Sequence, residues 1–168
     1  LFDKALRDAV KAEPLEFFNI LVKENLPITN LIDSKFLVIN SSMAQHYGIS
    51  GVDTPGFHKV SLAANSQRGG LLTTAAFSTM GSTGERTSPI IRGALILEKI
   101  LNDPSPSPPP NVPQLNEASK KPVSVRDAVK LHQSKAQCAS CHAKLDPIGF
   151  GLENFNAIGQ WRDKEKVG

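Results

Sequence analysis

Two cysteines, one tryptophan, one tyrosine and eight phenylalanines are all that 168 residues hold of the types that staple or fill a small fold. Two cysteines cannot make a disulfide framework. No apolar run approaches the ~20 residues that a membrane helix needs. The charge surplus is slight: 19 basic against 16 acidic residues give +3, which speaks against a nucleic-acid groove as the main business. The glycine-rich stretch 69–84 contains no Gly-Lys-Ser or Gly-Lys-Thr, so a phosphate-binding P-loop is excluded. Gly-Ser-Thr-Gly at 81–84 lacks the G-x-S-x-G spacing of a hydrolase nucleophile. No internal repeat of fixed period is present. With 40% hydrophobic residues, a chain of this length buries about 70% of its unfolded surface. The whole is therefore not intrinsically disordered, and its length suits one domain, or one with an appended segment. It opens at Leu1 without a basic-then-apolar leader, as a processed form or a fragment would.

Proline and glycine punctuate what is there. Residues 104–113, PSPSPPPNVP, hold six of the twelve prolines and read as a stiff polyproline spacer. Residues 104–168 also carry the basic surplus, nine basic against six acidic, which a solvated surface explains as well as an acidic partner does. Elsewhere helical patterns dominate. Pro14 fits the first turn of a helix whose stripe is Leu15, Phe18, Leu21 and Val22. A short helix from about Ser41 stops at Gly48. Ser88-Pro89 caps and opens a helix with Ile90, Ala94, Leu97 and Leu101 on one face, ahead of Pro104. Ser124 to Asp127 resembles a capping box with a shortened acid, leading into Val125, Val129 and His132. Phe36–Ile39 and Val60–Leu62 are the strand candidates, and Gly69 to Gly84 reads as loop. The expectation is a mainly α fold with long ordered loops.

One motif carries chemistry. Cys138-Ala-Ser-Cys141-His142 is C-x-x-C-H, the attachment signature of a c-type haem. Thiols one helical turn apart reach the two vinyl groups on one porphyrin edge, and the adjoining imidazole addresses the iron. A haem held by two thioethers needs no deep preformed pocket and itself supplies the core that a chain with 6% aromatics lacks. Three alternatives stand beside it. A zinc site would use Cys138 and Cys141 with His132 or His142, yet His142 adjoins Cys141 and no second C-x-x-C exists. A thioredoxin-like pair would want a βαβ frame where the surroundings read helical. A plain disulfide suits an exported protein.

The flanks make the motif more specific. RGGLLTTAAFSTMGSTGERTSPIIRGALILEKILNDPSPSPPPNVPQL and QCASCHAKLDPIGFGLENFNAIGQWR resemble the planctomycete-type cytochrome c family, large exported proteins of linked domains of unknown function. FFNILVKENLPITNLIDSKFLVINSSMAQHYGISGV resembles the end of the preceding domain in the same proteins. The resemblance covers approximately residues 15–162. It implies a covalently bound haem c, a periplasmic or extracellular location, a role in electron transfer to a redox partner protein, and a longer multidomain precursor. Residues 1–60 then form the helical C-terminal part of a preceding domain, and 61–168 a cytochrome c-like haem domain that contains the 104–113 spacer.

The sixth iron position separates a carrier from a catalyst. Met43, Met80, His46, His58 and His132 are available, and Met80 is preferred because it sits in the glycine-flanked stretch Ser78–Gly84, read as a loop. Axial Met with His raises the reduction potential and suits electron transfer. The proximal His142 needs an acceptor for its Nδ1–H, expected as a backbone carbonyl of a turn at Asp146-Pro147-Ile148-Gly149. Phe150, Leu152, Phe155 and Trp161 are candidate porphyrin walls, and Trp161 could also bond a propionate. Arg86, Arg92 and Arg162 are candidate propionate partners. The preferred reading is a mono-haem electron carrier, with neither a membrane span in the chain nor nucleic acid as a partner. A haem peroxidase or oxidase with an exchangeable sixth position, and a haem-bearing subunit of an extracellular assembly or filament, are the rivals.

Overall fold

The structure, a computed structural model, describes residues 2–84, 86–106, 124–133 and 136–165, without the side chains of 131–133, 136 and 137. It is mainly α, about 51% helical, with one small two-stranded sheet. Contacts divide it into two compact units: Leu1–Met80 with Phe155–Trp161, and Gly81–Asn154 with Arg162–Gly168. The expected haem domain at 61–168 therefore has parts in both. Most of the proline stretch, 107–113, lies outside the described residues, and with it the spacer expectation.

In the first unit, helix α1 runs from Lys4 to Lys23, capped by the Asp3 carboxylate, which accepts from the Leu6 amide at 2.9 Å. The helix starts well before Pro14, because an interior proline removes one amide donor and a strong cap with a long apolar face outweighs that loss. The face is also not the expected one: Leu6, Val10, Glu13, Phe17 and Leu21 are buried, while Leu15, Phe18 and Val22 are exposed. Strand β1, Phe36–Ile39, pairs antiparallel with β2, His58–Ser61, Phe36 opposite Ser61 and Ile39 opposite His58. All four β1 side chains are buried, and their alternation feeds two clusters. Leu37 and Ile39 join Leu6, Val10, Met43 and Ala44; Phe36 and Val38 join Phe17 and Leu21. The Phe17 and Phe36 rings stack at 5.2 Å. Helix α2, Ser41–Tyr47, keeps its expected ends: Asn40 accepts from the Met43 amide, and Gly48 closes it at φ 70°. The glycine-rich stretch is not all loop, since a 3-10 turn at Leu71–Thr73 leads into α3, Ala75–Met80. Thr74 starts α3 with its hydroxyl, which accepts from the Phe77 amide at 3.2 Å.

In the second unit, α4 spans Pro89–Leu95 behind the predicted Ser88 cap, whose hydroxyl accepts from the Ile91 amide. It then widens into a π turn over Ile96–Ile100, with the Leu101 amide bonded to the Ile96 carbonyl. The widened turn rotates the face, so Leu97 is buried but Leu101, expected beside it, is exposed. Helix α5, Val125–Gln133, opens on Ser124, which accepts from the Asp127 amide at 3.1 Å. Asp127 accepts from the Ser124 hydroxyl at 2.7 Å, and Glu165 accepts from the Val125 amide at 3.1 Å. Helix α6, Ala136–Phe150, lies close against α4. Gly93 faces the Leu145 carbonyl and Gly149 the Pro89 carbonyl so tightly that a Cβ at either would collide. The backbones themselves make this contact, which only glycine permits.

Candidate functional site

The C-x-x-C-H motif sits in the first half of α6. Helical spacing places Cys138 and His142 four apart on one face, with Leu145 and Asp146 continuing it, and all four are buried. Cys141 is half-buried, and both cysteines are free thiols rather than a disulfide. His142 Nδ1 lies 3.0 Å and 3.2 Å from the two carboxylate oxygens of Asp146. The expected turn at 146–149 is thus absent: α6 continues through Pro147 to Phe150. A proline there removes one amide donor, and the helix resumes beyond it. The acceptor for His142 does lie at 146, but it is a carboxylate and not a backbone carbonyl. Within a continuous helix the carbonyls are engaged along the axis, and side chains lean toward the N-terminus, so residue 146 reaches back over residue 142.

The other candidates have mixed surroundings. Pro147 is exposed, and Phe150 is half-buried with the Arg126 guanidinium 4.4 Å above its ring. Arg86 pairs with Glu165 at 3.1 Å. Arg92, fully buried, donates to the Leu152 carbonyl at 2.8 Å and to Glu153 at 3.2 Å. Arg162 donates to the other Glu153 oxygen at 3.1 Å and to the Thr87 hydroxyl at 3.0 Å. The guanidiniums of Arg92 and Arg162, both candidate propionate partners, thus share one internal carboxylate, Glu153. All of these belong to the second unit.

Met80, Phe155 and Trp161 belong to the first unit. Met80 ends helix α3 rather than sitting in a loop, and its side chain is 63% exposed. Phe155 is buried and meets Trp161 edge-on at 5.2 Å, while Trp161 is partly exposed. Met43, considered as a ligand, is wholly enclosed in the core. His46 places Nε2 2.7 Å from the Ile158 carbonyl, and burial lowers its pKa. His58 has Nδ1 3.1 Å from both Thr54 Oγ1 and the Gly56 carbonyl. The side chain of His132 lies outside the described residues. Among the described residues no three His, Cys, Asp or Glu side chains converge as metal ligands; the side chain of His132, a candidate of the zinc alternative, lies outside that set.

Sequence reasoning missed a buried polar cluster in the first unit. The Tyr47 hydroxyl donates to both Glu13 oxygens, at 2.9 Å and 2.7 Å, and accepts from the Ala75 amide at 2.7 Å. The Arg68 guanidinium covers the Tyr47 ring at 3.8 Å and donates to the Thr73 and Gly159 carbonyls. Burial pushes the Glu13 carboxyl up to about 7, against the pull of Tyr47 and Arg68. The same burial lifts the Tyr47 hydroxyl well above its ordinary value and lowers Arg68. A glutamate on the apolar face of α1, four before Phe17, was the visible signal.

Residues 68–165, more than half of the chain, match the PSCyt3 family, described as a protein of unknown function (DUF1588). The chain belongs to the PSCyt3 family. Residues 1–49 match a second family, PSD4, also a protein of unknown function (DUF1592). PSCyt3 and PSD4 are the planctomycete cytochrome-c-associated domains, in agreement with the resemblance drawn from the sequence. The PSCyt3 match contains α3 to α6 and the whole C-x-x-C-H motif. No curated protein and no solved structure matches the chain.

Proposed function

We propose that this chain carries one haem c, bound through Cys138 and Cys141 with His142 as an axial ligand, and passes electrons to a redox partner protein after export. The observation that carries the reading is the make-up of one helix: two unbridged thiols at i and i+3, and at i+4 an imidazole engaged by a carboxylate. The donor set fits the group. If haem is bound, the thiols of Cys138 and Cys141 would each add S–H across one vinyl C=C, forming a C–S bond with the hydrogen going to the second vinyl carbon, so no oxidant would be consumed. Engagement of Nδ1 makes Nε2 the ligating nitrogen of His142. Bound haem supplies a one-electron ferric–ferrous couple. Met80 is the proposed sixth ligand, its exposed thioether available for transfer from water to iron. Pro147, Phe150 and Trp161 are proposed contacts of the ring, and Arg86 a propionate partner that would exchange Glu165 for it.

A pyridine haemochrome spectrum with a haem stain on a denaturing gel tests the reading. Protein matured through an export and haem-attachment pathway should stain, and Cys138→Ala with Cys141→Ala should not. Colourless wild-type material from that pathway refutes the proposal. Met80→Ala should abolish the weak near-infrared sulfur–iron band and lower the potential, and an unchanged spectrum removes Met80 from the site. A second reading, a peroxidase or oxidase, draws on the Asp146 carboxylate, which strengthens His142 as a donor. Rapid carbon monoxide binding by the reduced protein would favour it over the closed carrier.

A further inference from the structure

We infer that Asp146 is a positioning residue for the haem ligand: its carboxylate holds the Nδ1 proton of His142 and keeps the iron at a lower potential than a carbonyl-bonded histidine would. This rests on the haem reading above and adds a property that the motif alone does not contain. Three observations support it. Both carboxylate oxygens lie within hydrogen-bond reach of one imidazole nitrogen, at 3.0 Å and 3.2 Å. Both side chains are buried, His142 at 9% and Asp146 at 5% exposure, where a charge-assisted bond is weakly screened. The two residues are also one helical turn apart on α6, so the pairing is set by the helix and does not depend on how a loop closes.

The chemical consequence follows from charge. A carboxylate on Nδ1 fixes the tautomer, orients the ring and raises the basicity of Nε2. A more basic ligand, with a negative charge behind it, favours the ferric state over the ferrous. The site is accordingly tuned against the potential-raising effect of an axial methionine, and the redox partner it fits as electron donor is a reductant of lower potential than a His/Met carrier would require.

The test uses haem-loaded full chain. Wild type must first give a positive haem stain; failure there refutes the haem reading and is a separate outcome. In haem-loaded Asp146→Asn the ferrous-to-ferric ratio at a fixed applied potential should rise about tenfold, a shift of about 59 mV for one electron. Asp146→Glu should recover part of the difference. Equal potentials in wild type and Asp146→Asn, both with haem attached, overturn the inference. Should the variant fail to mature, the reduced wild-type holoprotein decides by nuclear magnetic resonance. A strongly deshielded His142 Nδ1 proton, protected from exchange and close to the Asp146 methylene, supports the pairing. A proton that exchanges like an exposed imidazole's overturns it.

Discussion

In the first unit a buried carboxylate, Glu13, faces one hydroxyl, and the nearby guanidinium of Arg68 lies on the tyrosine ring and not on the carboxylate itself. In the second, Glu153 is held by two guanidiniums, Arg92 and Arg162, and by the Thr87 hydroxyl at 2.7 Å. The difference is one of compensation. Glu13 is satisfied in hydrogen bonding but poorly compensated in charge, so burial dominates and its proton is retained to about pH 7. Arg92 has a direct charge partner in Glu153, which works against the lowering that burial, and to a lesser degree Arg162, imposes. Both units bury polar side chains beside their apolar cores: Glu13, Ser34, Asn40, Thr74 and Ser78 in the first, and Thr87, Arg92, His142 and Asp146 in the second.

Removing one charge sharpens the contrast most. Glu153→Gln leaves the Arg92 guanidinium buried without its carboxylate and should destabilise by about 3–5 kcal/mol in urea unfolding followed by far-ultraviolet circular dichroism. Trp161, the sole tryptophan, lies in the first unit and reports on it by fluorescence. A fluorescence midpoint that stays put would show the units melting separately, and one that moves in step would break the comparison. A loss under 1 kcal/mol would make the Glu153 network a surface-like ion pair.

The Glu13 contrast is read through pH. Its folded value of about 7 lies above the ordinary 4.5, so the native state holds a proton that the unfolded state has released. The contribution is full below pH 4.5 and is lost as pH rises through about 7, on the order of 3 kcal/mol in all. The Trp161 melting temperature should therefore fall between pH 5 and 8, and Glu13→Gln should flatten that slope. An unchanged slope in Glu13→Gln would assign the linkage to another group. The smallest effect is local: Asn40→Ala removes the bond to the Met43 amide and should cost about 1 kcal/mol in the first unit alone.

Much of this was legible beforehand. The helix from Ser41 to its stop at Gly48, Ser88 with Pro89, and β1 at Phe36–Ile39 are local signals, fixed by a left-handed residue, a cap or a short apolar run, and they stand as expected. The errors came where tertiary context overrides a local breaker. Pro14 and Pro147 read as a helix start and a turn, yet α1 and α6 carry them inside: α1 has buried residues on both sides of Pro14, and α6 runs three residues past Pro147, where Gly149 packs on the Pro89 carbonyl. Reading α6 as broken at 146 also hid the His142–Asp146 pair, whose four-residue spacing is plain once the helix is continuous. The Gly93 and Gly149 contacts and the Glu153 network join segments distant in sequence, and no local pattern announces them.

The central claim is that two thiols of one helix are converted to thioethers on a single porphyrin. Intact-mass spectrometry of the chain, purified after passage through an export and haem-attachment pathway, reads this directly. The account predicts the polypeptide mass plus one haem, with neither Cys138 nor Cys141 open to alkylation. The bare polypeptide mass with two alkylatable thiols would contradict it.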